Sequence, residues 1–268
     1  MQDENLVSVI IPAKNRVDFT IEAVNSVVSQ KLPKGFKLEL IVIDNRSNPP
    51  LNKILKAHFN QVRVLRNNGF DSPGGSRNIG LKLAHGRYLS FLDNDDKWKP
   101  NFLKSSIEFI RKNNLVATVC LTNPYFFGNF SVNRRIRIII LNILRTVSLL
   151  VSFVLNNEKL PRSAFFLCQI SHMLFDRKYI KHLTFNEKTV AAEDWEFNVN
   201  VSLDKSIGIL PKALVNFRYE PRSSTYTKKV IKGKKEAYYN LIEKLPPSHK
   251  KGIFHLLFLL YIKFFLLK

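Results

Sequence analysis

The chain is predicted to be an α/β protein built on a mainly parallel, Rossmann-like sheet, and two observations predict it. From residue 6 to about residue 120, short apolar runs alternate with segments of helical periodicity, the pattern of strands joined by helical crossovers. One of those runs, Arg87 to Leu92, ends in Asp93-Asn94-Asp95-Asp96, three carboxylates within four residues. In open α/β sheets ligands bind beyond the carboxyl ends of the strands, so an acidic strand tip marks a candidate site as well as a topology. The 268 residues, 45% of them hydrophobic, suffice for one large domain or for one domain with an appendage.

Leu6 to Ile11 reads as the first strand, stopped by Pro12. Ile21, Val24, Val27 and Val28 fall at helical spacing within a helix over Val17 to Gln30. Leu38 to Ile43 is the second strand and ends in Asp44-Asn45-Arg46-Ser47. A short helix from Leu51 to His58 and a strand from Val62 to Leu65 follow. Gly74-Gly75-Ser76 opens a helix to Ala84, ahead of the acid-tipped strand. Pro100 starts another helix, and Leu115 to Leu121 is a further strand. The glycines between Gly69 and Gly80 lack the Gly-Lys-Ser/Thr ending of a phosphate-binding P-loop and are read as a tight turn into the helix. Residues 122 to about 190 lose this regularity, and the next helix is predicted from Trp195 to Leu203.

The formal charge of +21, with a pI near 10.0, implies an anionic partner: nucleic acid, an acidic membrane surface or a polyanionic substrate. Ile136 to Leu155 is an apolar helix with one polar stripe, Asn142, Arg145, Ser148 and Ser152, accompanied by Arg134, Arg135 and Arg137. It is either a buried core helix or a helix at a membrane interface with its basic side facing anionic headgroups. Ile253 to Leu267 is apolar but only 15 residues long and interrupted by Lys263, where a membrane span needs about 20 apolar residues. Between residues 205 and 268 there are 14 Lys and Arg against 3 Asp and Glu, a net of +11. A basic run beside an apolar segment has the make-up of a peripheral membrane anchor. The two cysteines and the acidic start without a signal-peptide pattern fit a cytoplasmic protein resting on the inner face of the cell membrane.

Three carboxylates at one strand tip repel one another unless a cation lies between them. Mg²⁺ or a similar hard ion takes oxygen ligands and is commonly shared between one or two carboxylates and a substrate's phosphates. An acidic turn capping the following helix is the plainer alternative.

Four residue groups, in this order, resemble the inverting family 2 glycosyltransferases with a GT-A fold. They are Val7-Ser8-Val9-Ile10-Ile11-Pro12-Ala13-Lys14-Asn15; Ile41-Val42-Ile43-Asp44-Asn45-Arg46-Ser47; Gly75-Ser76-Arg77-Asn78-Ile79-Gly80 leading into Asp93-Asn94-Asp95-Asp96; and Ala192-Glu193-Asp194-Trp195. The likeness is strong over about residues 6–120, moderate over 190–225 and slight between. It implies a GT-A domain over 1–225, with a nucleotide-binding half (1–121) and an acceptor half (122–225). A helical, basic, apolar C-terminal extension (226–268) would associate with a membrane.

By that resemblance Pro12, Ala13, Asn15, Asp44, Asn45, Arg77, Asp93 and Asn94 bind the nucleotide-sugar donor, with Asp44 reading the base. Asp95 is the direct ligand of a divalent Mn²⁺ or Mg²⁺, and Asp93 joins it through the ribose or a metal-bound water, while Asp96 orients the motif. Asp194 is the general base, with Glu193 second. Arg77 would carry positive charge to the phosphates; as a plain surface residue it would pair with Asp71 or Asp96. Asn45 and Lys14 depart from the family pattern, and the Asn45 amide is expected to pair with a uracil or thymine edge. No histidine lies in Val215 to Ser224, the segment expected to close over the diphosphate, so Arg218 or Arg222 takes the phosphate contact there. The acceptor is expected to be a glycan or a lipid-linked glycan, and nucleic acid is not an expected partner. Two other functions compete: a nucleic-acid-binding module, suggested by the charge, and a non-catalytic glycan-binding relative, against which the intact acid pairs argue.

Overall fold

Near-continuous apolar strands need cover on both faces, and this sheet has it. The structure, a computed structural model, describes residues 3–155, 167–189, 191–202, 206–221 and 228–244. The expected anchor at Ile253 to Leu267, and Arg222, lie outside them. Strands β1 (Asp3–Ala13), β2 (Lys37–Asp44), β3 (Val62–Arg66) and β4 (Gly86–Phe91) run parallel in the order β3-β2-β1-β4. Successive β1 residues serve opposite faces: Ile10 joins one core with Ile41, Ile43, Leu89 and Phe91, while Val9 and Ile11 join the other with Val42 and Leu92. Helices α1 (Val17–Val28), α2 (Leu51–His58) and α4 (Phe102–Asn113) cover the second face. The first is covered by α3 (Pro73–Leu83), α5 (Val132–Leu155), α6 (Glu193–Ser202) and α7 (Lys228–Glu243).

Pro12 does not stop the first strand. β1 continues to Ala13, with Pro12 paired to Ile43, because the β4 ladder ends at Ile10 opposite Phe91. Beyond that point one side of β1 is an edge, where the missing N–H costs no ladder bond. Helix α3 is capped by the Ser72 side chain, which accepts from the Gly75 N–H at 3.0 Å, with Pro73 at its first position. Its glycines serve close packing more than the turn. A Cβ on Gly80 would lie 2.4 Å from Ile10 Cγ2, so α3 rests directly on β1. Gly80→Ala is expected to lose about 1–3 kcal/mol of stability through overpacking, seen as a lower urea midpoint at unchanged slope.

The second half corrects several expectations. The sheet is mixed, not parallel throughout: β7 (Met173–Asp176) inserts antiparallel between β4 and β6 (Ala117–Phe126). Four residues are too few to show a period. β6 runs five residues past the predicted end and pairs in parallel with β8 (Ile207–Tyr219), which also carries the two-residue β5 (Lys97–Trp98). Val215 to Tyr219 is therefore strand and not a closing loop. The tail boundary at 225 also shifts, because Ile231, Tyr238, Leu241 and Ile242 of α7 belong to the main core.

Helix α5 takes neither predicted orientation. Asn142 and Ser148, from the polar stripe, are buried against the domain with Ile138 and Leu149, and much of the apolar side faces outward. The stripe faces inward because its polar groups have partners there. Asn142 Nδ2 donates to Tyr219 Oη at 2.8 Å, and Arg145 Nε to the Leu167 carbonyl at 2.8 Å. Among the described residues, no helix is long and apolar enough to cross a membrane.

Candidate active site

The strand order places a topological switch point between β1 and β4: the chain steps from β1 outward to β2 and β3, then returns to the other side of β1. The loops after these two strands form the crevice where ligands of open α/β sheets bind. Backbone strain gathers around it. Asn15 (φ 55°), Arg16 (φ 51°), Arg46 (φ 60°) and Ala192 (φ 67°) are all non-glycine residues in the left-handed region. Such conformations cost of order 1–3 kcal/mol each and persist where surrounding contacts enforce them. Here the Asn15 N–H donates to Ser47 Oγ at 2.7 Å, and Asn15 Oδ1 accepts from the Asn48 N–H at 3.0 Å.

At the tip of β4 each acid has a different environment. Asp93 accepts from Arg77 at 2.7 Å, and its own N–H donates to Ser171 Oγ at 3.1 Å. Asn94 donates to Thr20 of α1 at 2.9 Å. Asp95 is about one-third exposed and meets Arg16 at 2.8 Å; Arg16 also reaches Glu220 at 2.8 Å. Burial, then the Asp93 charge, pushes the Asp95 carboxyl up to about 6. Asp96 is fully buried and accepts the Arg218 N–H at 3.0 Å. Burial and its two acidic neighbours hold its pKa well above the usual range. Asp96 thus ties the acidic turn to β8.

Arg218, expected at a phosphate, is instead part of the frame. Its side chain is 1% exposed and lies 3.9 Å from the centroid of the Phe19 ring, with Tyr125 and Phe127 beside it. Its guanidinium donates to the Asp95 carbonyl at 2.8 Å and to Glu22. An arginine sandwiched among aromatic rings and fixed at both ends is not available to a ligand.

Arg77 holds the centre. It pairs with neither Asp71 nor Asp96: one arm of its fork reaches Asp93 and the other Glu193, each at 2.7 Å, with the side chain 4% exposed. Phe185 lies 5.3 Å from the guanidinium carbon and stacks on Phe197 of α6 at 4.2 Å. Burial would lower the arginine's pKa, but the charges of Asp93, Glu193 and Asp194 outweigh it and raise it. One buried cation thereby joins acids a hundred positions apart in the chain. Asp194, in the first turn of α6, is partly buried next to it. Burial, then the Glu193 charge, pushes the Asp194 carboxyl up to about 7, against the pull of Lys234 and Arg77.

The ends of β2 and β3 are also occupied differently from expectation. Asp44 is 1% exposed; it accepts from the Ser47 N–H at 2.8 Å, the Leu51 N–H at 3.2 Å and Arg66 at 2.9 Å. It shapes the loop, and its oxygens are committed. The Asn45 amide is engaged at both ends, donating to Asp71 at 2.9 Å and accepting from Asn67 at 2.9 Å. The group that faces outward here is Asp71, 43% exposed and held by Lys14 at 2.6 Å. The Lys14 hydrogen bond is the chief reason its carboxyl pKa is lowered. Sequence reasoning gave no functional role to Asp71, Ser171 or Phe185, none of which lies in a recognisable motif.

The donor set at the acidic turn is carboxylate oxygen, suited to a hard divalent ion. Among the described residues no group of three or more His, Cys, Asp or Glu converges to enclose a metal. Of the turn's three acids, Asp95 combines a raised pKa with partial exposure.

An acidic switch-point turn facing a raised carboxylate across a buried arginine, on this sheet order, defines a GT-A-type domain. The comparisons carry the assignment further: the glycosyl transferase family 2 model matches residues 8–184, and the chain belongs to that family. A relative from Escherichia coli, the UDP-Glc:alpha-D-GlcNAc-diphosphoundecaprenol beta-1,3-glucosyltransferase WfgD, is 31% identical over 131 residues, which are 48% of this chain and 47% of that one. The match thus spans less than half of that relative's length. The crystal structure of S. aureus TarS 1-349 in complex with UDP has the same fold, with a TM-score of 0.63 at 22% identity over 93% of this chain and 68% of that one. So does the mannosyltransferase PcManGT from Pyrobaculum calidifontis in complex with GDP-Man and Mn²⁺, with a TM-score of 0.64 at 16% identity over the same shares.

Proposed function

We propose that this protein is an inverting glycosyltransferase that moves a sugar from a nucleotide-sugar donor, a UDP-sugar by first choice, to a hydroxyl of a growing lipid-linked cell-surface glycan. The observation that carries the reading is the Arg77 bridge, which sets the acidic turn beside a carboxylate with a raised pKa. A hydroxyl is a poor nucleophile until its proton is removed, and a base poised near neutrality suits that removal. Asp194 takes this proton. Glu193, committed to Arg77, positions α6 and does not act as base. Asp95, with Asp93 beside it, would hold a divalent ion that neutralises the leaving diphosphate as a Lewis acid. The chemistry is a single in-line displacement with no covalent enzyme intermediate.

For the base of the donor, we assign the reading to Asp71, in place of Asp44 and Asn45. A carboxylate accepts from a protonated ring nitrogen, which uracil, thymine and guanine have and cytosine and adenine lack. Lys14, beside it, can donate to the adjacent carbonyl. The UDP-Glc in the WfgD name and the UDP in the TarS complex support uracil as the default. The diphosphoundecaprenol in the same name supports a lipid-linked acceptor, and with it a place on the inner face of the cell membrane.

Thermal unfolding of the protein with UDP, GDP, CDP and dTDP, each with and without Mn²⁺, tests this. A nucleotide at 100 times its dissociation constant adds about 2.7 kcal/mol of stability. A metal-dependent shift with UDP is expected, lost in Asp95→Asn and absent for CDP. Asp71→Asn is expected to weaken UDP by about tenfold and narrow its lead over CDP. No shift with any nucleotide, in protein shown to be folded, overturns the reading.

A further inference from the structure

Helix α5 turns a long apolar row outward. Ile136, Ile139, Ile143, Val147, Leu150 and Val154 recur at steps of three and four and are between 37% and 73% exposed. At 1.5 Å per residue its 24 residues extend for about 36 Å. A monomer rarely leaves so long an apolar stripe in water unless it meets a partner. The surrounding charge has one sign: between Phe126 and Asn157 there are four arginines and no acid. Three of them, Arg134, Arg135 and Arg137, lie in the first two turns, where the Arg134 guanidinium donates to the Pro221 carbonyl at 2.8 Å. The opposite side of the helix is fastened to the sheet, through Asn142 to Tyr219, Arg145 to the Leu167 carbonyl, and the buried Ile138 and Leu149. A helix held in this way meets any flat surface sideways and cannot stand upright through it.

We propose that the outer face of α5 is a docking surface for an anionic lipid bilayer, its apolar row entering the headgroup layer and the arginines at its start binding lipid phosphates. An interfacial helix needs this combination: a continuous apolar face, flanking cations and no acids. A second copy of the chain is the poorer occupant, because pairing two α5 faces brings together two chains of charge +21 with no acid on either helix to offset it. The proposal rests on the placing of the enzyme at a membrane and names the surface that does it.

Cys120 and Cys168 are both buried, so a cysteine added at the surface can be labelled selectively. The full-length Ile143→Cys protein, carrying an environment-sensitive fluorophore, is mixed with vesicles of phosphatidylcholine and phosphatidylglycerol, or of phosphatidylcholine alone. The expected result is a blue shift with the anionic vesicles, quenched by brominated acyl chains and reduced by salt. The same label at Lys53→Cys, exposed on α2, should not respond. Ile139→Asp with Val147→Asp should lower vesicle partitioning by at least about tenfold. Vesicle binding with a silent label at 143 overturns the role of α5 and leaves membrane placement standing, through residues 253–267. A concentration-dependent shift without lipid assigns the face to a second copy. A label already shielded in dilute, lipid-free protein means that the chain's own residues cover it. Either result overturns the proposal.

Discussion

Asp194→Asn should lower the transfer rate by about 10²–10⁴-fold, the span general-base catalysis normally contributes, while leaving nucleotide binding largely intact. Measured as kcat/KM against pH, the parent enzyme should gain activity as pH rises through about 7, where the Asp194 carboxyl loses its proton. The variant should lose that limb. Stability should move the opposite way. A partly buried acid whose pKa is raised from 3.8 to about 7 holds its proton more tightly in the folded chain than in the unfolded one. The folded state therefore binds more protons between these values, and stability falls as pH rises through the window. One pKa unit is worth about 1.4 kcal/mol, so neutral Asn should recover on the order of 2–4 kcal/mol at pH 8 and almost nothing at pH 4. A variant that is inactive and also less stable at pH 8 would show that Asp194 is structural.

The second large effect concerns Arg77. Removing one partner of a buried ionic group strands the others, at about 3–5 kcal/mol. Arg77→Met keeps the bulk but leaves Asp93 and Glu193 without their shared partner. Its melting temperature should fall by about 2–4 °C for each kcal/mol lost. Arg77→Lys should restore only part, because an ammonium cannot present two arms of a planar fork to two carboxylates. In protein still folded by circular dichroism, the Asp194 limb of the pH–rate profile should move upward, since Arg77 is one of the charges holding it down. An unchanged limb would remove Arg77 from the site's electrostatics and leave it a packing role.

These two residues illustrate what a sequence conveys. The first half was legible almost element by element. Its strands carry apolar runs and its helices keep their period, so local chemistry and fold agree. The acidic turn was visible because such a cluster of like charge is unfavourable without a purpose, and the Glu193-Asp194 pair was visible through the family resemblance. β7 was not visible, being four residues in an irregular region whose strand identity depends on the neighbours β4 and β6. The inward turn of α5 was not visible either. The helix's pattern fixes which residues share a side, but not whether Asn142 finds Tyr219 or water.

Partnership is what the linear sequence cannot supply. The residue types at 44, 45, 77 and 218 were all singled out, and each was expected to face a ligand. In the fold Asp44 bonds its own loop, Asn45 is tied between Asp71 and Asn67, Arg218 sits among aromatic rings, and Arg77 joins two motifs. By itself the sequence determined the alternation of strands and helices, the acids at the switch point and the surplus of positive charge, because each depends on residues close together in the chain. Which acid carries a raised pKa, which face of α5 meets the outside and which carboxylate at the ends of β2 and β3 is left facing outward were decided by tertiary structure alone. Burial and the distance between charges depend on residues far apart in the chain, from 57 positions for Lys14 and Asp71 to 116 for Arg77 and Glu193, and only folding brings them within reach.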